Sequence, residues 1–359
     1  MTATFTPTRT DALAIETDRV LGRREEHIGV IDVGSNSIRL VVYDDLSRAP
    51  FPRFNEKSLV ALGNGLDGEG RFTEQVMSEA LNTVRRFASI AEAMDVRRVD
   101  VLATEATRRA KNGGELIDRI RAATGLDTRI LSGDQEARLA ALGVVSGCFE
   151  PKGLVGDLGG GSLDVAEVVV DDVGERTASM PLGALRVKAL MDDDIDAAKQ
   201  HIDSVLATSL PPLLTDPVMY AVGGGWRALA RVHIAMTGHP ISVVHGYAIS
   251  GEVAREHAKH ISRMSPDEVA SLPDVPSRRN DTLPAAALVM ARVLKQWRPD
   301  QVVFSASGLR EGWLYSQLDR DEQSRDALLE GAQAIGLPMA RVPAFSAALA
   351  RWTDDVFPG

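Results

Sequence analysis

The stretch "GDLGGGSLDVAEV", residues 156–168, sets an aspartate and three consecutive glycines between two short apolar runs and then adds a serine. An apolar strand ends at Asp157, a small-residue turn follows, and Leu163, Val165 and Val168 continue in strand alternation. The pattern occurs earlier as well. In "HIGVIDVGSNSIRLVVYDD" (27–45), Asp32, Gly34 and Ser35 interrupt two strand-like runs, His27–Asp32 and Ile38–Tyr43. The chain therefore reads as two copies of one unit.

The flanking segments give the fold class. Apolar residues at Val76, Ala80, Val84, Phe87, Ala91 and Met94 recur every three or four positions, which predicts an amphipathic helix over 74–94. "VDVLAT" (99–104) and "TRILS" read as strands, and "GELIDRIRAAT" and "DQEARLAALGVV" as helices. In the second half, "MYAVGGGWRALARV" (219–232) and "QVVFSASGLREGWLY" (301–315) each give a strand, a small-residue turn and a helix. Alternating strands and helices make a layered α/β protein. The expected organisation is a flexible lead-in over 1–27, one α/β domain over 28–150, a second over 151–318, and a helical extension over 319–359.

Composition narrows the function. With 359 residues, 44% hydrophobic and 25% charged, the chain can bury two cores. No apolar run is long enough to span a membrane, and the polar N-terminus lacks a signal peptide's apolar centre, so a cytoplasmic protein is expected. Cys148 is the only cysteine, which excludes an internal disulfide and a thiolate metal cage; it reads as a small buried apolar residue. The seven histidines show no zinc-ligand spacing, and His245 reads as structural. A net charge of −10 argues against nucleic acid as a partner. Trp226 and Trp313 read as packing anchors.

A turn of small residues between strands can aim several N–H groups into one concavity, a nest suited to phosphate oxygens. Ser35, Asn36 and Ser162 can add side-chain donors. Asp32 and Asp157 would repel phosphate unless a cation lay between, and Mg²⁺ takes a few carboxylates together with phosphate oxygens and water.

Together, "IDVGSNSIRL" and "GDLGGGSLDV" resemble the paired phosphate loops of the acetate and sugar kinase, heat-shock chaperone and actin superfamily. More narrowly, "DVGSNSIRL", "ATEATRRAKNG", "LSGDQEARLAALGV", "DLGGGS", "AVGGGWRALARV" and "SASGLREGWLY" resemble, in order, the motifs of the exopolyphosphatase and guanosine pentaphosphatase (Ppx/GppA) family. The resemblance runs from residue 28 to about 316. It implies two ribonuclease-H-like (actin-like ATPase) α/β domains with the active site in the cleft between them, plus a short helical C-terminal tail.

It also implies roles. Asp157, with Asp32 acting through water, would hold Mg²⁺ or another divalent ion. Gly34, Ser35, Asn36 and Ser37 in the first loop, and Gly159, Gly160, Gly161 and Ser162 in the second, would bind the terminal phosphoryl group. Arg39 is the cation nearest the first loop, although strand alternation leaves its direction open. Arg108 matches the family arginine that contacts the phosphate chain, with Thr104 and Asn112 in the same motif, and Glu136 matches the proposed catalytic glutamate. Family members commonly carry another glutamate just before it, where this chain has Gln135. Read without the resemblance, Ser132 and Gln135 form a capping box, Glu136 is an ordinary acidic residue of a helix's first turn, and Arg109 and Lys111 are solvated.

The expected activity is metal-dependent release of orthophosphate from inorganic polyphosphate, with guanosine pentaphosphate (pppGpp) 5'-phosphohydrolase as the alternative. A small-molecule kinase using "GGGW" as an adenosine pocket, or a non-enzymatic nucleotide or polyphosphate sensor, is more distant. "ALARWTDDVF" resembles the entry to a helical domain present in longer relatives, so weaker processivity and a preference for short chains are expected. A homodimer is the expected assembly.

Overall fold

A computed structural model describes residues 26–209, 218–339 and Trp352. Residues 1–25 of the lead-in, and all of the tail "AFSAALARWTDDVFPG" except Trp352, lie outside these.

Two sheets carry the repeat. The first comprises β1 (Ile28–Val33), β2 (Ser37–Tyr43), β3 (Pro52–Leu59), β4 (Arg98–Ala103) and β5 (Asp127–Ile130), in the order β3-β2-β1-β4-β5. β1 pairs antiparallel with β2 and parallel with β4. The second comprises β6 (Lys152–Leu158), β7 (Leu163–Val169), β8 (Asp172–Met180), β9 (Val218–Val222), β10 (Tyr247–Ser250) and β11 (Gln301–Phe304), in the order β10-β11-β9-β6-β7-β8. Without β10, which adds antiparallel to its edge, this sheet repeats the ribonuclease-H-like order of the first. Both central strands are apolar because helices and neighbouring elements cover them: Val30, Ile31 and Val33 in β1 and Val155 and Leu158 in β6 are all buried.

The predicted helix over 74–94 is observed at Glu74–Ala93, with Thr73 as its N-cap and Phe87 and Val84 fully buried. Trp226 is fully buried and its indole N–H donates to the Ala286 carbonyl at 3.0 Å, as an anchor should. Trp313 donates to Asp100 at 2.8 Å. Cys148 is only half-buried, packed beside the core rather than within it, and burial raises its thiol to about 11. His245 is structural: its Nε2 donates to the Gly147 carbonyl at 2.8 Å and its Nδ1 accepts from the Ala306 amide at 3.2 Å.

The helix Gly133–Gly147 is shared between the sheets. Ala137, Ala141, Val144 and Val145 pack with Val155, Ala166 and Val168 of the second sheet, while Leu139 packs with Ile28, Val41 and Leu102 of the first. The helix Leu309–Tyr315 crosses it at close range, made possible by two glycines. A Cβ on Gly143 would meet the Gly308 backbone, and one on Gly312 would meet the Leu139 carbonyl. Their bareness lets the two helix backbones touch.

Acid should weaken the second half through His257. Burial, with only partial help from the Leu229 carbonyl it bonds at 3.0 Å, lowers its pKa from 6.5 to about 4. Its neutral form is favoured in the folded state, so stability is intact above pH 6.5 and falls as pH drops towards 4. Between about pH 7.5 and pH 5 this single group is expected to cost about 2 kcal/mol. Chemical denaturation of the wild type and His257→Gln at both pH values reads the difference, and equal pH slopes would overturn the assignment.

Candidate active site

The two hairpins end alike. In the first, Asp32 lies opposite Arg39 in the ladder, and the Gly34 amide donates to the Ser37 carbonyl at 3.1 Å. In the second, Asp157 lies opposite Asp164, and the Gly159 amide donates to the Ser162 carbonyl at 2.9 Å. The loops face each other: a Cβ on Gly160 would stand 3.1 Å from the Ser35 Cβ.

Carbonyls are drawn away from the space between them. Those of Gly159 and Gly160 accept from the Ala184 and Leu185 amides at 3.0 and 2.9 Å, and those of Ser35 and Asn36 accept from Gly63 and Ala61 at 2.6 and 3.1 Å. Among the described residues, the amides of Ser35, Asn36, Gly160 and Gly161 make no backbone hydrogen bond. Two sets of free donors thus flank one cleft of about 200 Å³, as a phosphate nest requires. Its floor is completed by Gly223, whose φ of +102° suits glycine and where a Cβ would strike the Leu158 carbonyl.

Asp32, Arg39, Glu136, Asp157 and both loops line this cleft. Arg39 therefore points inward, steadied by an Nε hydrogen bond to Asn55 at 2.7 Å. Ser132 and Gln135 form the predicted capping box, with bonds of 3.2 and 2.8 Å, so the Gln135 amide is turned back onto the helix end. Glu136 is buried rather than solvated. Burial, and then Asp164, raise its pKa to about 9 against the ion pair it makes with Arg108.

Four expected residues are engaged within the protein in ways the motifs do not suggest. Arg108 does not line the cleft; its Nη1 is held from behind by Glu136 and the Leu131 carbonyl. The Ser162 hydroxyl donates to Asp164 at 2.7 Å. Asn112 is a latch, exchanging bonds of 2.8 and 3.0 Å with the Phe72 backbone. The Thr104 hydroxyl likewise bonds the Val33 carbonyl at 3.3 Å.

The cleft also gathers groups that sequence reading did not single out. Asp164 accepts from Ser162 and Ser179; burial raises its pKa to about 6 despite those bonds. Burial and Asp164 together raise Asp157 to about 7 against the pull of Arg227, and burial raises Asp32 against Arg310 and Arg39. Lys57, Arg227, Arg279 and Arg310 join Arg39 on the lining. Burial and then Arg279 lower Lys57 to about 8, and burial and then Arg227 lower Arg279 to about 10. Arg310 and Glu311 are half-buried together: Glu311 accepts from Tyr43 at 2.8 Å and from the Gly308 amide at 2.9 Å. The cleft thus holds cations that crowd one another and carboxylates that burial pushes towards their neutral form.

A model of the Ppx/GppA phosphatase family matches residues 41–321. The chain belongs to the Ppx/GppA phosphatase family. It is 30% identical over 321 residues to exopolyphosphatase 1 of Mycobacterium tuberculosis, covering 85% of this chain and 92% of that one. The crystal structure of the Aquifex aeolicus Ppx/GppA family member superposes with a TM-score of 0.68 at 24% identity, covering 81% of this chain and 97% of that one. An exopolyphosphatase from Cytophaga hutchinsonii gives 0.68 at 25% identity, with 81% and 97% covered. The two-domain actin-like architecture expected from the loops is therefore the fold of this Ppx/GppA-type phosphatase. Among the described residues, no helix is long and apolar enough to cross a membrane.

Proposed function

We propose that the chain is a metal-dependent exopolyphosphatase that removes terminal orthophosphate from inorganic polyphosphate. The observation that carries this is the lining of the cleft: among the described residues, five cationic side chains, Arg39, Lys57, Arg227, Arg279 and Arg310, stand beside the two loops with their free amides, together with six carboxylates and no aromatic side chain. A polyanion answers those charges. A nucleoside base would want an aromatic or apolar slot, and Trp226 of "GGGW" is committed to the core.

In this reading the loop amides hold the terminal phosphoryl group, and Arg39, Lys57, Arg227 and Arg279 take the phosphates behind it. Glu136 orients the attacking water and accepts its proton. Arg108, bonded to Glu136, fixes the direction of that carboxylate. Among the described residues no three acidic, histidine or thiol side chains form a complete metal cage. Asp32 and Asp157 nonetheless suit a hard cation that takes its other ligands from water and substrate and would offset the burial that raises both carboxylates. When bound, Mg²⁺ would neutralise charge on the transferring group.

Orthophosphate release from polyphosphate, pppGpp and ATP, with Mg²⁺ and with chelator, tests the reading. Metal-dependent release is expected, fastest from polyphosphate. Faster release from pppGpp would make it the pentaphosphatase, and ADP formed only with an acceptor would make it a kinase.

A further inference from the structure

Behind the second phosphate loop lies a separate pocket of about 200 Å³, lined by Arg108, Arg109 and Arg186 together with Glu105 and Ser162, against a wall of Met180 and Pro181. Glu105 and Ser162 also line the front cleft, so the two cavities share a thin partition. Glu105 faces both ways. Its Oε2 accepts from the Ser35 hydroxyl at 3.1 Å on the cleft side, and its Oε1 meets Arg186 Nη2 and, at 3.6 Å, Arg109 Nη1 on the rear side.

The rear pocket gathers positive charge. Three guanidinium groups meet Glu105 and, through Arg108, Glu136, while Asp164, occupied by the Ser162 and Ser179 hydroxyls, also feels the Arg108 charge. Arg186 Nε is buried without an acceptor, an unmade bond that proteins normally avoid. Burial, and beyond it the charge of Arg186, depress the Arg109 pKa even though Glu105 opposes the shift. Guanidinium forks are matched to tetrahedral oxyanions.

We propose that this rear pocket is a second anion site, one that receives the orthophosphate cleaved in the front cleft. The proposal rests on the phosphatase reading above. Ser162 belongs to the loop that would hold the terminal phosphoryl group, so the cleaved product stands one side chain from the arginines. The remaining chain lies among the front cations, and product leaves on the other side. Orthophosphate and substrate then occupy the enzyme together.

The test follows release from radiolabelled polyphosphate in the full chain as unlabelled orthophosphate is added. Inhibition is expected to include a component that saturating substrate does not relieve. Arg186→Gln should raise the constant of that component roughly tenfold, as loss of one charge-assisted contact implies, with activity at low orthophosphate near wild type. Arg109→Gln, reaching the pocket from another helix, should act in the same direction and serves where Arg186→Gln does not fold. Purely competitive inhibition of the wild type, or a component unchanged in the folded variants, overturns the proposal. If the protein cleaves no polyphosphate, the reading of the front cleft fails, and orthophosphate titration decides for the pocket. Two sites falling to one in Arg186→Gln support it, and the same number in both proteins overturns it.

Discussion

Glu136→Gln is expected to lower kcat for orthophosphate release roughly 10²- to 10⁴-fold, the usual worth of a positioned general base, with KM little changed. The amide keeps the size of the side chain and an oxygen for Arg108, so the first turn of the helix Gly133–Gly147 stays in place. What it loses is the ability to take a proton from water. The pH profile gives a second readout. Burial, reinforced by Asp164, lifts Glu136 far above the 4.5 of a free glutamate, towards about 9, and a base acts only when ionised. Activity of the wild type should therefore climb with pH well beyond 4.5, and that acid limb should be absent from the residual activity of the variant. A variant with wild-type kcat would remove Glu136 from the chemistry.

Gly183→Ala is expected to cost roughly a hundredfold or more in kcat/KM through position alone. Gly183 caps the helix Ala184–Asp193, whose first amides hold the carbonyls of Gly159 and Gly160. A Cβ at 183 would collide with the backbone of Gly160 and Gly161, which cannot swing aside as a side chain can. The second loop must move, and its donors move with it. Stability should fall by only about 1–3 kcal/mol, a cost typical of overpacking, so the protein remains folded when activity is lost. Gly114→Ala, where a Cβ meets nothing, is the matched control and should keep full activity. Comparable kcat/KM in the two variants would show that the loop tolerates displacement.

Much of this arrangement was legible in the sequence, and the parts that were not share a physical reason. The two Asp–Gly hairpins declare themselves locally, because strand alternation and turn chemistry act over a few residues, and their duplication sets both sheet orders. β3 escaped notice because it is an edge strand: "PRFNEKSL" carries polar, exposed residues instead of an apolar alternation. Asp164 lies between Leu163 and Val165 of an alternating strand, and only the pairing that sets it opposite Asp157 places it on the cleft. Lys57, Arg227, Arg279 and Arg310 come from a strand, two helices and a short turn far apart in the chain, and only the tertiary fold gathers them. Arg310 was hidden inside a motif read for its backbone. Arg108 shows the opposite case, a motif residue whose partner, Glu136, turns it away from the cleft.

The glycine crossing of the helices Gly133–Gly147 and Leu309–Tyr315 bears on how the chain is made. Synthesis runs from the N-terminus, so the first of these helices leaves the ribosome before β6, β7 and β8 exist and about 160 residues before its crossing partner. Until then Ala137, Ala141 and Val144 have no surface to pack against. The nascent first half therefore carries a sticky helix that only later-emerging segments can cover, and the base proposed for catalysis, one position before Ala137, acquires its final surroundings among the last parts of the molecule to form.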